Sequence, residues 1–155
     1  MTQDSGTSAE DPIDSPTPWV AKQISDYVAT DGREPDFQDG TPLLLLTVKG
    51  RKSGLWKRTA LICGEENGSY LVVASMGGAP KHPSWYLNLK ANPEVRIQVN
   101  EKIMKAIART ATEDEKPALW EKMVGIFGDY ADYQKKTERV IPIVILDPVL
   151  DTVAG

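Results

Sequence analysis

The sequence feature with the clearest capacity for chemistry is a basic turn between two glycines, residues 50–54, which read Gly-Arg-Lys-Ser-Gly. Arg51 offers a planar fork of donors, Lys52 a point charge and Ser53 a hydroxyl, a combination that suits phosphate or carboxylate oxygens. The flanking glycines let the backbone approach a ligand closely. The basic turn therefore predicts an anion site, although a solvated, charged hairpin explains these residues equally well when they are taken alone.

Two further basic residues, Lys57 and Arg58, begin the strand predicted after this turn. Side chains alternate along a strand, so we expect only one of the two to face the anion site. The turn lacks the spacing of a phosphate-binding Walker loop, G-x-x-x-x-G-K-[ST]. Because the whole chain carries a formal net charge of -4, the predicted anion site must be local, and a general nucleic-acid binder is not expected.

Two segments further along place polar groups near the ends of predicted elements. Residues 74–78 read Ala-Ser-Met-Gly-Gly and end a strand, a common place for backbone amides to meet a ligand. Residues 84–93 predict a short helix, whose start would leave N–H groups free for a ligand. The candidate residues in these segments are Ser75, Met76, Ser84, Trp85 and Asn88. A plain loop, a core tryptophan and a surface asparagine remain open as alternatives.

Tyr130 and Tyr133 are three residues apart, which puts both phenols on one face of a helix. Such a pair can line a pocket for a flat aromatic molecule or donate a proton, and packing with the polar tips in water is the alternative. Sites that need several cysteines or histidines are ruled out, because the chain has one cysteine, Cys63, and one histidine, His82. This count excludes an internal disulfide and a structural zinc set, so we expect no metal site.

The elements that must position these residues alternate short apolar runs with turn signals. Helical periodicity predicts a helix over 18–29 and another that opens with a capping box at 112–115. About six strands are predicted, over residues 43–48, 59–63, 70–74, 95–99, 102–109 and 141–146. Antiparallel hairpins dominate, so the expected class is α+β, as a small closed or nearly closed antiparallel barrel with peripheral helices.

Composition divides the chain into a tail and one domain. Residues 1–16 are polar and acidic, which predicts a disordered tail, and residues 17–150 fit a single domain. No apolar run approaches the ~20 residues of a membrane span, and the N-terminus does not read as a signal peptide. We therefore expect a cytoplasmic protein. The helix over 18–29 leaves open a peripheral contact with the inner face of the membrane.

Taken together and in order, these segments resemble one family. The chain contains the basic turn, the Val-Val-Ala-Ser-x-Gly-Gly strand end, Trp-Tyr-Leu-Asn-Leu-Lys-Ala-Asn-Pro at 85–93, a Tyr-x-x-Tyr segment and a final Thr-x-Arg-x-Ile-Pro-Ile motif. It resembles the deazaflavin-dependent nitroreductase family of actinobacteria, small enzymes that use the reduced deazaflavin coenzyme F420. The resemblance covers about residues 40–148 and implies a split β-barrel of the kind shared with FMN-binding oxidases.

The resemblance also assigns roles by position. It implies that the coenzyme's phosphate and oligoglutamate tail lie against Arg51, Lys52 and Ser53, and that the next basic contact, usually Arg in the family, falls on Lys57. Arg58 is the further candidate that could compensate for this lysine. It implies that the deazaflavin ring lies beside Val73, Ala74, Ser75 and Met76 and is closed over by Ser84, Trp85 and Asn88. The implied catalytic residues are Tyr130, between coenzyme and substrate, Tyr133 on the substrate side, and Ser75.

The activity implied by the resemblance is hydride transfer from reduced F420 to a flat electrophile, which is a quinone, an activated enone or a nitroaromatic. Phe127 and Ile62 stand where nitroimidazole-reducing members can carry hydroxylated aromatic side chains, which favours a quinone or an enone. An FMN-dependent enzyme on the same barrel is the closest alternative. The second alternative is a non-enzymatic barrel that binds polyanions.

The expected partner is a small electron acceptor, and no nucleic acid is expected. The chain is expected to be a monomer or a weak homodimer.

Overall fold

A computed structural model describes residues 6–33 and 41–149, which form one eight-stranded sheet and four α-helices. The strands are β1 (Ile13–Asp14), β2 (Leu43–Lys49), β3 (Trp56–Ile62), β4 (Gly64–Glu66), β5 (Ser69–Val73), β6 (Glu94–Val99), β7 (Lys102–Thr110) and β8 (Ile143–Pro148). The helices are α1 (Pro18–Thr30), α2 (Ser84–Ala91), α3 (Lys116–Ile126) and α4 (Asp129–Lys135). Residues 1–5 of the predicted tail and residues 34–40 and 150 of the predicted domain lie outside the described residues.

The strands follow the order β1-β3-β2-β6-β7-β8-β5-β4 and pair antiparallel, except for the parallel β1–β3 pair. The α+β class is confirmed, but the barrel of about six strands is wrong. The sheet has eight strands, and its two terminal strands, β1 and β4, are not joined by a ladder, so the barrel is not closed.

Both additional strands are short and lie at the edges of the sheet. Asn67-Gly68 alone makes the reversal between β4 and β5, as Asn-Gly commonly does in hairpins. Residues 64–66 are thereby free to pair with residues 69–71. A strand of two or three residues contains too little alternation to be recognised from sequence.

Residues 6–16, which composition assigned to a disordered tail, are described and lie along the sheet. Ile13 and Asp14 pair with Lys57 and Arg58. The Asp14 carboxylate accepts hydrogen bonds from Arg58 Nε at 2.6 Å and Arg58 Nη2 at 3.1 Å. Such a pairing of acid with base across the fold cannot be read from local hydrophobicity.

The core explains why β2 begins with four consecutive leucines. Leu44 and Leu46 pack into the cluster inside the curved sheet, together with Leu89 of α2. Leu43 and Leu45 point to the other face, where α1 covers them. A strand buried on both faces needs apolar residues at every position. Within the described residues there is no helix long and apolar enough to cross a membrane.

Candidate functional site

The basic turn joins β2 to β3 and projects its side chains into solvent. The backbone closes through Gly50 N–H to Leu55 O at 2.7 Å and Gly54 N–H to Gly50 O at 3.0 Å. Gly54 has a φ of 73°, a conformation that side-chain-bearing residues rarely adopt. The three residues between the glycines, Arg51, Lys52 and Ser53, are all exposed. The turn is therefore a fixed loop that presents its charge outward.

Asn88 of α2 ties the basic turn to the helix. Its Oδ1 accepts hydrogen bonds from Arg51 N at 3.1 Å and from Arg51 Nη1 at 2.7 Å. Asn88 is 4% exposed, and these two bonds satisfy its carbonyl oxygen in a buried position. Two predicted site residues that are 37 positions apart in the chain are thus in direct contact.

A cavity of about 520 Å³, which we call the basic cavity, lies between β1, β3, the basic turn and α2. Its lining contains the predicted residues Ser53, Lys57, Arg58, Ser84, Trp85 and Asn88. Lys57 and Arg58 both line it, so the expectation that alternation admits only one is wrong. The N-terminal residues 13–16 form a further wall, and Arg58 is already engaged by Asp14.

A second cavity of about 390 Å³, the aromatic cavity, continues from the first. The two cavities share Ser15, Thr59, Ser84 and Trp85 in their linings. The aromatic cavity contains the predicted residues Val73, Ser75, Met76, Ser84, Trp85, Tyr130 and Tyr133. Its far wall is α1, which contributes Trp19, Val20 and Gln23. Arg51, Lys52 and Ala74 line neither of these two cavities.

The predicted tyrosine pair lies in the aromatic cavity with Phe127. The rings of Tyr130 and Tyr133 are 6.2 Å apart and nearly perpendicular, and Phe127 lies 5.1 Å from Tyr130. Burial raises the pKa of the Tyr130 phenol above its usual range. The pKa of Tyr133 is also raised, first by burial and then by the carboxylates of Asp129 and Asp132. Both phenols therefore keep their protons at neutral pH and can donate a hydrogen bond.

Comparison with known proteins decides between the open alternatives. Residues 19–148 match the sequence model of the F420H(2)-dependent quinone reductase family. An F420H(2)-dependent quinone reductase of Mycobacterium tuberculosis is 37% identical over 124 residues, which is 77% of this chain and 83% of the relative. This chain belongs to the F420H(2)-dependent quinone reductase family. The resemblance predicted from the sequence is confirmed, and with it a family whose reductant is the reduced coenzyme F420.

Two solved structures are similar to this chain. An F420-H2 dependent reductase (FDR-A) is 45% identical, with a TM-score of 0.64, covering 68% of this chain and 94% of that one. A second structure, described as a domain-swapped dimer, is 40% identical, with a TM-score of 0.66, covering 86% of this chain and all of the other. This F420H(2)-dependent quinone reductase family member is an oxidoreductase on an α+β fold.

One residue next to the site was missed. Arg139 lies just before β8, and its guanidinium donates to the carbonyl oxygens of Ala74, Ser75 and Ala79 at 3.2, 2.7 and 2.8 Å. The Thr-x-Arg-x-Ile-Pro-Ile motif contained this arginine, but sequence reasoning gave it no role. The N-terminal wall, including Ser15 and Trp19, was missed because it precedes the segments that carried the resemblance.

Proposed function

We propose that this chain transfers a hydride from reduced coenzyme F420 to a quinone that binds in the aromatic cavity. The observation that supports this most strongly is the continuity of the two cavities. One end offers basic and hydroxyl groups, and the other offers an apolar, aromatic enclosure. A coenzyme with a polyanionic tail and a flat ring needs a basic surface for the tail and, next to it, an aromatic surface for the ring.

The residues at the basic end fit the coenzyme's anionic groups. Under this proposal Arg51 and Lys52 hold the oligoglutamate tail outside the cavity, while Ser53 and Lys57 meet the phosphate at its rim. Asn88 fixes the direction of the Arg51 guanidinium by accepting from Nη1, which leaves the other guanidinium donors for carboxylates. Arg58 contributes to a lesser degree, because Asp14 already neutralises it.

The residues at the aromatic end fit a flat ring system with an acceptor beside it. A volume of about 390 Å³ falls in the ~300–1,000 Å³ range of pockets that enclose small-molecule ligands. When bound, the coenzyme supplies the hydride. The chain's own contribution is to hold ring and acceptor face to face between Trp85, the Val73–Met76 strand end and Tyr130, and to keep water away.

The tyrosines are the proposed donors of a hydrogen bond and a proton to the quinone oxygen. A quinone oxygen gains negative charge as it is reduced, and a neutral phenol can donate a hydrogen bond to it and then a proton. Tyr130 is the proposed donor because it lines the aromatic cavity with its phenol protonated, and since burial raises its pKa, its main contribution is the hydrogen bond to the oxygen that gains charge. Tyr133, which is half-buried, is proposed to contact the acceptor from the outer side.

The side chains around the acceptor favour a quinone or an enone over a nitroimidazole. Phe127 and Ile62 both line the aromatic cavity and carry no hydroxyl. Trp19 of α1 is 62% exposed and lies at the mouth of the same cavity. A peripheral contact between α1 and a membrane that carries the acceptor is part of the proposal, since an exposed tryptophan suits the interface between water and lipid.

A binding titration followed by turnover tests the proposal. The purified chain is titrated with oxidised F420, with FMN and with a short oligonucleotide, while tryptophan fluorescence is recorded. We expect quenching by F420, because Trp85 lines both cavities, and oxidation of F420H2 by menadione faster than by a nitroimidazole. Tight FMN binding without a response to F420 would replace this function by the FMN alternative, and a response to the oligonucleotide alone would favour the polyanion-binding barrel.

A further inference from the structure

We infer that Arg139 is a positioning residue for this reaction, which fixes the distance between the two walls that enclose the aromatic cavity. The inference rests on the proposed function. One wall is the turn at residues 75–79, from which Ser75, Met76 and Gly77 line the cavity. The other is α4, which carries Tyr130 and Tyr133. Arg139 lines neither of the two cavities described and acts through hydrogen bonds to both walls.

The 75–79 turn contains a strained residue, Met76. Three consecutive residues, Met76, Gly77 and Gly78, have φ values of 47°, 65° and 84°. A methionine at positive φ is disfavoured and persists only where its surroundings impose the conformation. Its exposed side chain, 54% accessible, does not supply that constraint. Inside the turn, two backbone hydrogen bonds stabilise this conformation, from Gly78 N to Ser75 O at 2.9 Å and from Ala79 N to Met76 O at 3.1 Å, and contacts from outside add to them.

The Arg139 guanidinium provides such contacts at both ends of the turn. Nη1 donates to Ala74 O at 3.2 Å and Nη2 to Ser75 O at 2.7 Å, where the turn begins. Nε donates to Ala79 O at 2.8 Å, where it ends. Three donors in one rigid plane fix three carbonyls at once, which the single ammonium of a lysine cannot do. Nη1 also lies 3.0 Å from Nδ1 of His82.

The backbone of Arg139 is bound to the tyrosine helix. Its carbonyl oxygen accepts from Gln134 Nε2 at 2.8 Å, and Gln134 Oε1 accepts from Ile141 N at 2.9 Å. The turn and α4 also touch directly, because a Cβ on Gly78 would lie 2.7 Å from the carbonyl oxygen of Tyr133. Arg139 thus joins the strand end proposed to lie beside the ring to the helix proposed to hold the acceptor.

The test compares Arg139→Lys with Arg109→Lys, and the first readout needs no coenzyme. Arg109 is a matched control, because its guanidinium also makes fork contacts, to Glu115 and Asp147, but away from either cavity. We expect amide hydrogen exchange of a peptide covering 74–80 to be at least about tenfold faster in Arg139→Lys, and unchanged in Arg109→Lys. Unchanged exchange in Arg139→Lys would overturn the inference, whatever the activity.

The second readout is turnover with F420H2 and menadione. We expect kcat of Arg139→Lys to fall at least about tenfold while KM for the coenzyme stays within about twofold, because the basic turn is untouched and only the reacting geometry is displaced. Wild-type kcat in Arg139→Lys, or an equal loss in Arg109→Lys, would overturn the inference.

A second variant, Gly78→Ala, displaces the same turn without altering Arg139. Gly78→Ala pushes the turn away from Tyr133 O and leaves Arg139 intact, so we expect it to reproduce the faster exchange and the lower kcat. If Arg139→Lys does not fold at the assay temperature, the exchange rate and kcat of Gly78→Ala become the test of the inference. Wild-type kcat in Gly78→Ala would contradict it. A wild-type chain that fails to bind F420 would overturn the proposed function, and with it the positioning role of Arg139 in the reaction, whereas the exchange readout would still report whether Arg139 fixes the turn.

Discussion

Tyr130 is 4% exposed in the wall of the aromatic cavity. We expect Tyr130→Phe to lower kcat for quinone reduction by about ten- to a hundredfold, the scale on which a positioned proton donor contributes. The affinity for F420 should change much less, because the ring of phenylalanine preserves the packing against Phe127. Stopped-flow turnover and a fluorescence titration measure the two quantities separately.

Tyr70→Phe is the control for this change, because Tyr70 is also partly buried and also has a raised pKa, yet lies outside the aromatic cavity. It should leave both quantities unaltered. A Tyr130→Phe variant that lost affinity and kcat in equal proportion would make Tyr130 a binding residue.

Folding changes the protonation of His82 within the pH range in which proteins are usually studied. The pKa of His82 is lowered from 6.5, first by burial and then by the cations of Arg139 and Lys90. The unfolded chain therefore takes up a proton at higher pH than the folded chain, so stability is complete above about 6.5 and declines as the pH falls below it. We expect the melting temperature to fall between about pH 7.5 and 5.5.

His82→Gln provides the control for this pH dependence. Glutamine can still accept from Arg139 but does not titrate, so the variant should lose the His82 part of the slope. If the slopes of wild type and variant coincide, His82 does not titrate differently in the folded and unfolded chain.

At the scale of elements, β1 acts as a two-residue strand that neutralises part of the basic cavity. Asp14→Asn keeps the shape of the side chain and removes the charge that engages Arg58. We expect F420 to bind about two- to fivefold more tightly, with a steeper dependence on salt, because an additional cation faces the anionic groups of the coenzyme. Titrations at low and high ionic strength measure both changes.

Glu10→Gln is the matched variant, since Glu10 pairs with Arg96 outside the basic cavity. It should bind F420 as the wild type does. Weaker binding by Asp14→Asn alone would mean that β1 matters as a wall of the cavity more than as a source of charge.

At the scale of the molecule, an acidic chain has to attract an acidic coenzyme. The net charge is -4, so attraction depends on the basic turn. We expect Arg51→Ala combined with Lys52→Ala to weaken F420 binding at least about tenfold at low salt, with a smaller difference at high salt. Lys102→Ala combined with Lys105→Ala removes the same charge from exposed positions on β7 and should have little effect. Equal losses would assign the effect to net charge.

Local signals predicted the parts of this fold that depend on local physics. The β2–β3 and β6–β7 hairpins follow from apolar runs and alternation, and the capping box forms as expected, with Thr112 Oγ1 accepting from Glu115 N at 3.2 Å and Glu115 Oε1 from Thr112 N at 2.9 Å. Sheet order and edge strands depend on contacts between distant residues, and those have no local pattern.

The candidate site also has parts with a local sequence signal and parts that depend on contacts between distant residues. The basic turn and the tyrosine pair were predicted because their residue types and spacing are visible, with a family resemblance to join them. The Asp14–Arg58 pair, 44 residues apart, and the Arg139–Ser75 contact, 64 residues apart, depend on how the chain returns on itself. Three of the four partners of the Arg139 guanidinium are backbone carbonyls, which have no residue type to search for in a sequence.

The N-terminal segment has a practical consequence for the design of shortened proteins. Residues 13–16 line the basic cavity, and Ser15 and Thr17 line the aromatic one. A truncation at residue 16 would look safe from composition, and the shortened chain would keep the basic turn and both tyrosines. It would nevertheless have a wider groove with Arg58 unmasked. Affinities measured on such a fragment would describe a different binding site from that of a chain that retains these residues.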